Sequence, residues 1–320
     1  MGSDHGAPVA AIDCGTNSTR LLVVDGSGRT LVRVMRITRL GQGVDASHHL
    51  SPVAVERTLG VLREFRGTMD GFGVAQGRLV ATSAVRDADN GDDFLRAAAV
   101  VTGLTAQLLS GDEEGRMAYR GATMGLPPAP ADDVVVDIGG GSTEFVHARA
   151  GQVAAVSLDL GCVRLTERYL KSDLPTPEEL RAAGAAIDTE LERAETVLPA
   201  LAHLPSGSRL LGLAGTVSTL ALLELGLSGY DREVVHHSVI SRSAASRWLA
   251  ALAGEPASLR GLRPGVEAGR EDVIVGGVLI LSKVMSRLDF DECLVSESDI
   301  LDGLAAGLRD PLGPASGEGP

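Results

Sequence analysis

Two short segments of this sequence share a pattern that could bind phosphate. Each is an apolar run that ends in an aspartate, followed by a turn of small and hydroxylated residues and then a second apolar run. Backbone N–H groups in such a turn can converge on an anion, and the aspartate suits a Mg²⁺ ion that bridges to the phosphate. The copies run from Ala10 to Leu21 and from Val134 to Phe145, and they align Asp13 with Asp137.

The repetition is a stronger signal than either copy. A single copy is more simply an ordinary hairpin turn, whereas two copies that each open a half of the chain predict a duplicated domain and a shared phosphate site. We therefore expect phosphate contacts in both turns. Those in the first turn are Gly15, Thr16, Asn17, Ser18 and Arg20, and those in the second are Gly139, Gly140, Gly141, Ser142 and Thr143.

Two further segments could add phosphate contacts. A glycine-rich turn follows a predicted strand and opens a predicted helix from Val217 to Leu225, and helix N-termini attract anions. Gly215 and Thr216 are the candidates there, although Thr216 could equally be a plain N-cap. Arg86 follows a strand and a hydroxylated stretch, from which its guanidinium could fork onto phosphate oxygens instead of facing solvent.

A predicted helix begins with the three acids Asp112, Glu113 and Glu114. Acids in a first turn commonly just complement the helix dipole, but a carboxylate that points into a phosphate cleft could accept a proton from an attacking water. Composition alone does not choose among the three. His236 and His237 are adjacent on a predicted strand, so their side chains would face opposite ways and would not form one metal site. No Walker-type phosphate loop and no nucleophile triad stands out.

Strand and helix patterns alternate between these segments. The proline-rich run Pro127 to Pro130 precedes the second copy and is the clearest linker. An apolar helix from Arg270 to Leu288 contains Gly276 and Gly277, which we expect to permit close packing. The other predicted helices are Pro52 to Met69, Asn90 to Gly103, Asp112 to Met124 and one opened by a capping box at Thr176, and the other predicted strands are Arg78 to Ser83, Thr105 to Leu109 and Arg209 to Leu213.

Bulk composition disfavours several classes of function. A chain of 320 residues with 44% hydrophobic and 22% charged residues has room for a large core and two domains. No apolar run approaches the roughly 18–20 residues that span a bilayer, so no membrane partner is expected. A net charge of −13 disfavours nucleic acid as a partner. Three scattered cysteines and no secretory signal favour a cytoplasmic protein.

Considered as a set, these motifs resemble those of the Ppx/GppA family, the exopolyphosphatases and guanosine pentaphosphate phosphohydrolases. The resemblance covers roughly Val9 to Leu308 and includes the segment Ser157 to Arg168. It implies an α/β fold in which two similar domains of the acetate and sugar kinase–actin superfold flank an interdomain cleft. The expected domains are 1–126 with 299–310, and 127–298, followed by a disordered tail at 311–320. The last helix, Asp299 to Leu308, would thus return to the first domain.

The resemblance also implies roles for single residues. Glu114 matches the family's catalytic base, and Arg86 matches an arginine that grips phosphate. Asp137 and Glu144 match the residues that hold Mg²⁺ and the attacking water, and Asp13 matches a supporting acid at the metal. Gly115 departs from the alanine of many relatives. The chain resembles the short, two-domain type of the family.

The activity implied by the resemblance is Mg²⁺-dependent release of the terminal phosphate from polyphosphate or from guanosine pentaphosphate. The sequence does not decide between these two substrates, and it leaves a homodimer open. Two alternatives share the same turns. One is a kinase or ATPase of the same superfold, and the other is a non-catalytic sensor of an alarmone or polyphosphate.

Overall fold

Two β-sheets flanked by helices make up the protein, seen here in a computed structural model that describes residues 6–227 and 229–309. The first half of the chain contains β1 (Val9–Cys14), β2 (Ser18–Val24), β3 (Thr30–Ile37), α1 (Val44–Ser47), α2 (Pro52–Gly71), β4 (Gln76–Ala81), α3 (Ser83–Arg86), α4 (Gly91–Thr102), β5 (Thr105–Leu108) and α5 (Gly111–Thr123).

The second half begins with β6 and ends with a helix that lies against the first sheet. Its elements are β6 (Asp133–Ile138), β7 (Thr143–Arg149), β8 (Gln152–Leu158), α6 (Cys162–Tyr169), α7 (Pro177–Val197), a 3₁₀ turn (Pro199–His203), β9 (Arg209–Leu213), α8 (Ala214–Leu225), α9 (Arg232–Val235), β10 (Val239–Ser241), α10 (Arg242–Ala253), α11 (Ala257–Arg260), α12 (Ile274–Arg287), β11 (Glu292–Val295) and α13 (Ile300–Arg309).

The two sheets repeat one topology. The first has the strand order β3-β2-β1-β4-β5, and the second has β10-β11-β9-β6-β7-β8. In each, an antiparallel meander (β1-β2-β3 or β6-β7-β8) is joined through its first strand to two parallel strands. Only β10, an antiparallel edge strand, has no counterpart among the described strands. The repeat in the sequence is therefore a repeat in the fold, which confirms the expected two similar α/β halves.

Both predicted hairpins form, and the same backbone bond closes their turns. The Gly15 N–H donates to the Ser18 carbonyl at 3.0 Å, and the Gly139 N–H donates to the Ser142 carbonyl at 3.0 Å. Asp13 lies opposite Arg20 in the first hairpin. Residues directly opposite in an antiparallel pair have neighbouring side chains on one face of the sheet.

Close packing of helices surrounds the second sheet. A Cβ added at Gly276 would lie 2.8 Å from Thr166 Oγ1, and one added at Gly277 would lie 2.8 Å from Thr216 Cγ2. Any side chain at these two positions would therefore push α12 away from its neighbours, which confirms the expected role of the two glycines. No helix within the described residues is both long and apolar enough to cross a membrane.

The last helix packs on the first sheet, as expected from the resemblance. Ile300, Leu301 and Leu304 of α13 share a buried cluster with Val9 and Leu22 of the first hairpin. The exact domain limits 1–126 with 299–310 and 127–298 stay predictions. The predicted disordered tail at 311–320 lies outside the described residues, as does Asp310.

Several predicted elements were wrong in detail. His236 and His237 are not on a strand: they follow the short helix α9, which Asp231 caps, and their rings lie 3.7 Å apart. The glycine-rich turn already belongs to α8, which begins at Ala214 and not at Val217, so Thr216 is not its N-cap. Other differences are smaller: α12 begins at Ile274 and not Arg270, and the Asn90 side chain accepts from the Leu50 N–H and does not cap α4.

Candidate functional site

The two hairpin turns meet at one place between the sheets. A Cβ added at Gly140 would lie 2.9 Å from Thr16 Cβ and 3.2 Å from the Asn17 nitrogen. One added at Gly141 would lie 2.8 Å from Thr16 Oγ1. Only glycine lets the backbones approach this closely. The structure therefore brings the two copies of the sequence repeat together, as the prediction required.

Four predicted carboxylates surround this meeting point. Asp13 and Asp137 are the second-last residues of the central strands β1 and β6, and Glu144 lies on β7 directly opposite Asp137. Glu114 reaches the same group from α5. All four are buried from solvent to a large extent, and the charges of Asp13, Asp137 and Glu144 all act on Glu114.

The structure also distinguishes the three acids at the start of α5. Glu113 completes a capping box, because its Oε2 accepts from the Ser110 N–H at 2.8 Å. Asp112 is largely exposed and lies 3.8 Å from Arg116. Glu114 is the acid that lies close to Asp13, Asp137 and Glu144, and its Oε2 is buried without a hydrogen-bond partner. The helix geometry thus makes the choice that composition left open.

Burial and mutual repulsion raise the pKa values of these carboxyl groups. Burial, followed by the Glu144 charge, raises the pKa of Glu114 well above its ordinary value. The same two causes raise the pKa of Asp137 to about 8. Burial also raises the pKa of Asp13, against the opposing charge of Arg20. The cluster therefore has more negative charge than its neighbouring arginines offset.

Two arginines lie beside the carboxylates. Arg20 donates to Asp13 Oδ2 through Nε at 3.0 Å and Nη2 at 2.6 Å, and its Nη1 pairs with Asp299. Its guanidinium is thus already engaged by two carboxylates, and its predicted phosphate contact stays a prediction. Arg86 donates to the Leu109 carbonyl at 2.9 Å and lies 3.5 Å from Glu114 Oε2. Among the described residues, Arg86 is the cation that pairs with Glu114.

The Ser142 and Thr143 hydroxyl groups point to opposite faces of the second hairpin, because successive residues of a strand alternate. The Ser142 side chain lies on the Glu144 side of the strand and lowers the pKa of that carboxyl group. Thr143 points the other way, is fully buried, and donates its hydroxyl to the Leu160 carbonyl. The structure therefore places Thr143 in a structural role, away from the cleft. In the first turn the Ser18 carbonyl closes the hairpin, and its side chain is partly exposed.

Gly215 and Thr216 lie against Arg270 and α6. The Arg270 guanidinium packs directly over Gly215, and Thr216 is buried beside the Cys162 thiol. Cys162 in turn donates its backbone N–H to the Gly139 carbonyl at 2.9 Å. Gly215 and Thr216 are therefore linked to the second turn through α6, and their phosphate contacts stay predictions. All three cysteines are buried and free of disulfides.

Comparison with known proteins identifies the family. The model of the Ppx/GppA phosphatase family matches residues 21–309. The chain belongs to the Ppx/GppA phosphatase family. It is 40% identical over 316 residues to Exopolyphosphatase 2 of Mycobacterium tuberculosis, covering 94% of this chain and 98% of that protein.

Solved structures of Ppx/GppA proteins share the fold. A crystal structure of the Aquifex aeolicus Ppx/GppA family member matches with a TM-score of 0.79 and 32% identity, over 96% of this chain and 99% of that one. An exopolyphosphatase-like protein matches with a TM-score of 0.89 and 33% identity, over 96% of this chain and 100% of that one. The predicted family and fold class are both confirmed.

The donor set of this Ppx/GppA site suits Mg²⁺. Asp13 Oδ1 is buried without a hydrogen-bond partner, and the Asp137 carboxyl carries a pKa of about 8, so both would gain from a cation. No three acid, histidine or cysteine side chains among the described residues converge as a complete metal cage. Mg²⁺ characteristically takes one or two carboxylates and completes its shell with water and substrate phosphates. The residues therefore fit the ion in that mode.

Three residues of this family member were missed as single candidates. Asp299 lies just before α13 and pairs with both Arg20 and Arg33; burial opposes its ionisation, but these arginines hold its pKa below the ordinary value. Ser157 donates to Glu144 Oε1 at 2.7 Å, and Arg164 contacts both halves of the chain. The one sequence signal for Asp299 is a short polar run after an apolar strand, which resembles the other site segments.

Proposed function

We propose that this protein is a Mg²⁺-dependent phosphohydrolase that releases orthophosphate from the end of inorganic polyphosphate. The observation that carries the proposal is Glu114: a buried carboxylate whose Oε2 has no hydrogen-bond partner and lies 3.5 Å from Arg86, with Asp13, Asp137 and Glu144 close to it. The name of the 40% identical relative, Exopolyphosphatase 2, supports polyphosphate as the substrate.

Glu114 would act as the general base. A base works best when its pKa lies near the working pH, and burial raises the pKa of Glu114 in that direction. Its free oxygen could accept a proton from a water that attacks the terminal phosphorus in line with the leaving chain. Glu144, which accepts a hydrogen bond from Ser157, would help to orient that water.

The glycine turns would hold the phosphate chain. Converging N–H groups, together with the Thr16 hydroxyl and the Asn17 amide, offer donors to the terminal phosphate. Asn17 Nδ2 is buried and has no hydrogen-bond partner, so it is available to an anion. Arg86 would fork onto the reacting phosphate, where charge builds up in the transition state. Mg²⁺, held by Asp137 and Asp13, would offset the charge of the phosphate oxygens.

Phosphate release in the presence of Mg²⁺ tests the proposal. The substrates to compare are short polyphosphate, long polyphosphate, guanosine pentaphosphate and ATP. Release from polyphosphate supports the proposal, and release from guanosine pentaphosphate alone would replace the substrate. ATP turnover or phosphate transfer to an acceptor would favour the kinase or ATPase alternative. Tight binding of polyphosphate without any release would favour a sensor.

The variant Glu114→Gln tests the base. Glutamine keeps the shape of the side chain but accepts no proton, so we expect phosphate release to fall by about 10²–10⁴-fold while polyphosphate binding is largely kept. Glu113→Gln is the matched control, because Glu113 belongs to the helix cap, and it should lower stability more than turnover. Unchanged release by Glu114→Gln would reject Glu114 as the base.

A further inference from the structure

Arg164 joins the two halves of the protein at the edge of the site. It lies on α6, and its Nε donates to the Gly141 carbonyl at 2.6 Å. Its Nη1 donates to Asp45 Oδ1 at 2.6 Å, and its Nη2 contacts Asp87 and, at 3.3 Å, Ser83 Oγ. Only 11% of the side chain is exposed. A guanidinium from the second half is thus surrounded by two carboxylates and a hydroxyl from the first.

This guanidinium lies where the two glycine turns meet. A Cβ added at Gly141 would lie 2.5 Å from Ser83 Oγ and 2.8 Å from Thr16 Oγ1. Arg164, Ser83 and Thr16 therefore converge on the backbone that is proposed to bind phosphate. The cavity between these groups measures only about 10 Å³, roughly the minimum that holds one water. A phosphate can contact Arg164 only if one of its present partners gives way.

The two carboxylates differ in how firmly they are held. Asp45 is also bound by Arg168 through Nε and Nη2, both at 2.5 Å, so it has a second cation. Asp87 contacts Arg164 and, at 3.4 Å, the Ser83 hydroxyl. Because arginine binds carboxylate and phosphate oxygens through the same planar fork, a phosphate can take the place of the Asp87 carboxylate.

We propose that Arg164 is a substrate-binding residue that Asp87 occupies in the empty protein, and that a phosphate oxygen of the polyanion replaces Asp87 when substrate binds. This inference rests on the proposed function, since it assigns a further contact for the same substrate class. If Arg164 only held the two halves together, it would make the same contacts. The two cases predict opposite changes in substrate affinity when the Asp87 charge is removed. Affinity rises if Asp87 competes with substrate for Arg164, and it falls if the Asp87 contact only stabilises the arrangement of the halves.

Binding of methylenediphosphonate separates the two cases. This pyrophosphate analogue resists hydrolysis because a carbon links its phosphorus atoms, and its affinity in the presence of Mg²⁺ can be measured by calorimetry. Arg164→Gln should weaken binding about ten-fold, the worth of a charge-assisted bond. Asp87→Asn should tighten binding about three-fold or more, because the competing charge is gone. In the double variant the Asp87 effect should disappear.

Matched controls are Arg181→Gln and Asp70→Asn, which make the same charge changes on exposed side chains and should leave binding unchanged. If Arg164→Gln fails to fold, Arg164→Lys replaces it, since lysine keeps the charge and loses the fork. Weaker binding by both Arg164→Gln and Asp87→Asn, or no binding by the wild type, would overturn the inference. Phosphate release from polyphosphate, assayed in parallel, reports separately on the proposed function.

Discussion

Replacing Asp137 by asparagine should stabilise the metal-free protein at neutral pH. Burial and the neighbouring Glu144 carboxylate raise the pKa of Asp137 from 3.8 to about 8. The folded state therefore keeps a proton that the unfolded chain releases near pH 3.8, and stability falls as the pH rises between these two values. Below the lower value and above the higher one, the contribution no longer changes with pH. Asparagine has nearly the same shape and no charge to bury, so it removes this loss.

The size of the effect follows from the two pKa values. Each pH unit within the window is worth about 1.4 kcal/mol. At pH 5 the aspartate costs the folded state about 1.5 kcal/mol, and at pH 7 it costs about 4 kcal/mol. The stability difference between Asp137→Asn and the wild type should therefore more than double between these pH values, in favour of the variant. The same variant should lose phosphate release, since Asp137 is a proposed metal ligand.

Denaturant unfolding in the presence of EDTA at pH 5, 6, 7 and 8.5 measures this difference. Asp70→Asn is the control, because Asp70 is largely exposed and pairs only with its helical neighbour Arg66, and its effect should be small at every pH. The reasoning is refuted if Asp137→Asn is less stable than the wild type at pH 7, or if the difference does not grow from pH 5 to pH 7.

Two further changes test the surroundings of the site. The Ser157 hydroxyl donates to Glu144 at 2.7 Å and lowers the pKa of that carboxyl group, so Ser157→Ala should raise this pKa. We expect kcat to fall about ten-fold and the acid limb of the pH–rate profile to move to higher pH. An unchanged profile would contradict this. Gly277→Ala places a methyl group against Thr216. Thermal unfolding should show that the free energy of unfolding falls by about 1–3 kcal/mol, and adding Thr216→Ala should restore part of it. Unchanged stability of Gly277→Ala would contradict the close packing.

The sequence was most informative where it repeated itself. The spacing from Asp13 to Arg20 equals that from Asp137 to Glu144, and the structure places the members of each pair directly opposite each other across a hairpin. The pairing follows from local chain geometry, so the repeat alone predicted both hairpins and the acid near the end of each central strand. Glu114 was a candidate among three acids, and only the capping box formed by Glu113 and the burial of Glu114 in the structure separated them.

Contacts between distant segments were beyond a single sequence. Asp299 pairs with Arg20, and Arg164 pairs with Asp45, across long stretches of chain that no local pattern connects. The assignment of His236 to a strand was wrong because β-branched neighbours also occur in the short helix that Asp231 caps. Local periodicity fixes neither the partner of a charged side chain nor the choice between two short elements of similar composition.

The position of α13 has a consequence for how the chain is made. The cluster beneath the first sheet contains Val9, Leu22 and Leu109, and it is completed by Leu301 and Leu304 near the other end of the chain. At about 5–20 residues per second, a ribosome needs roughly 10–40 s to synthesise the intervening segment. The N-terminal sheet must wait during that time with an apolar face uncovered, while the second half can already fold. The half of the protein that is translated first is therefore the last to be completed, and it is the part on which a nascent-chain chaperone would act.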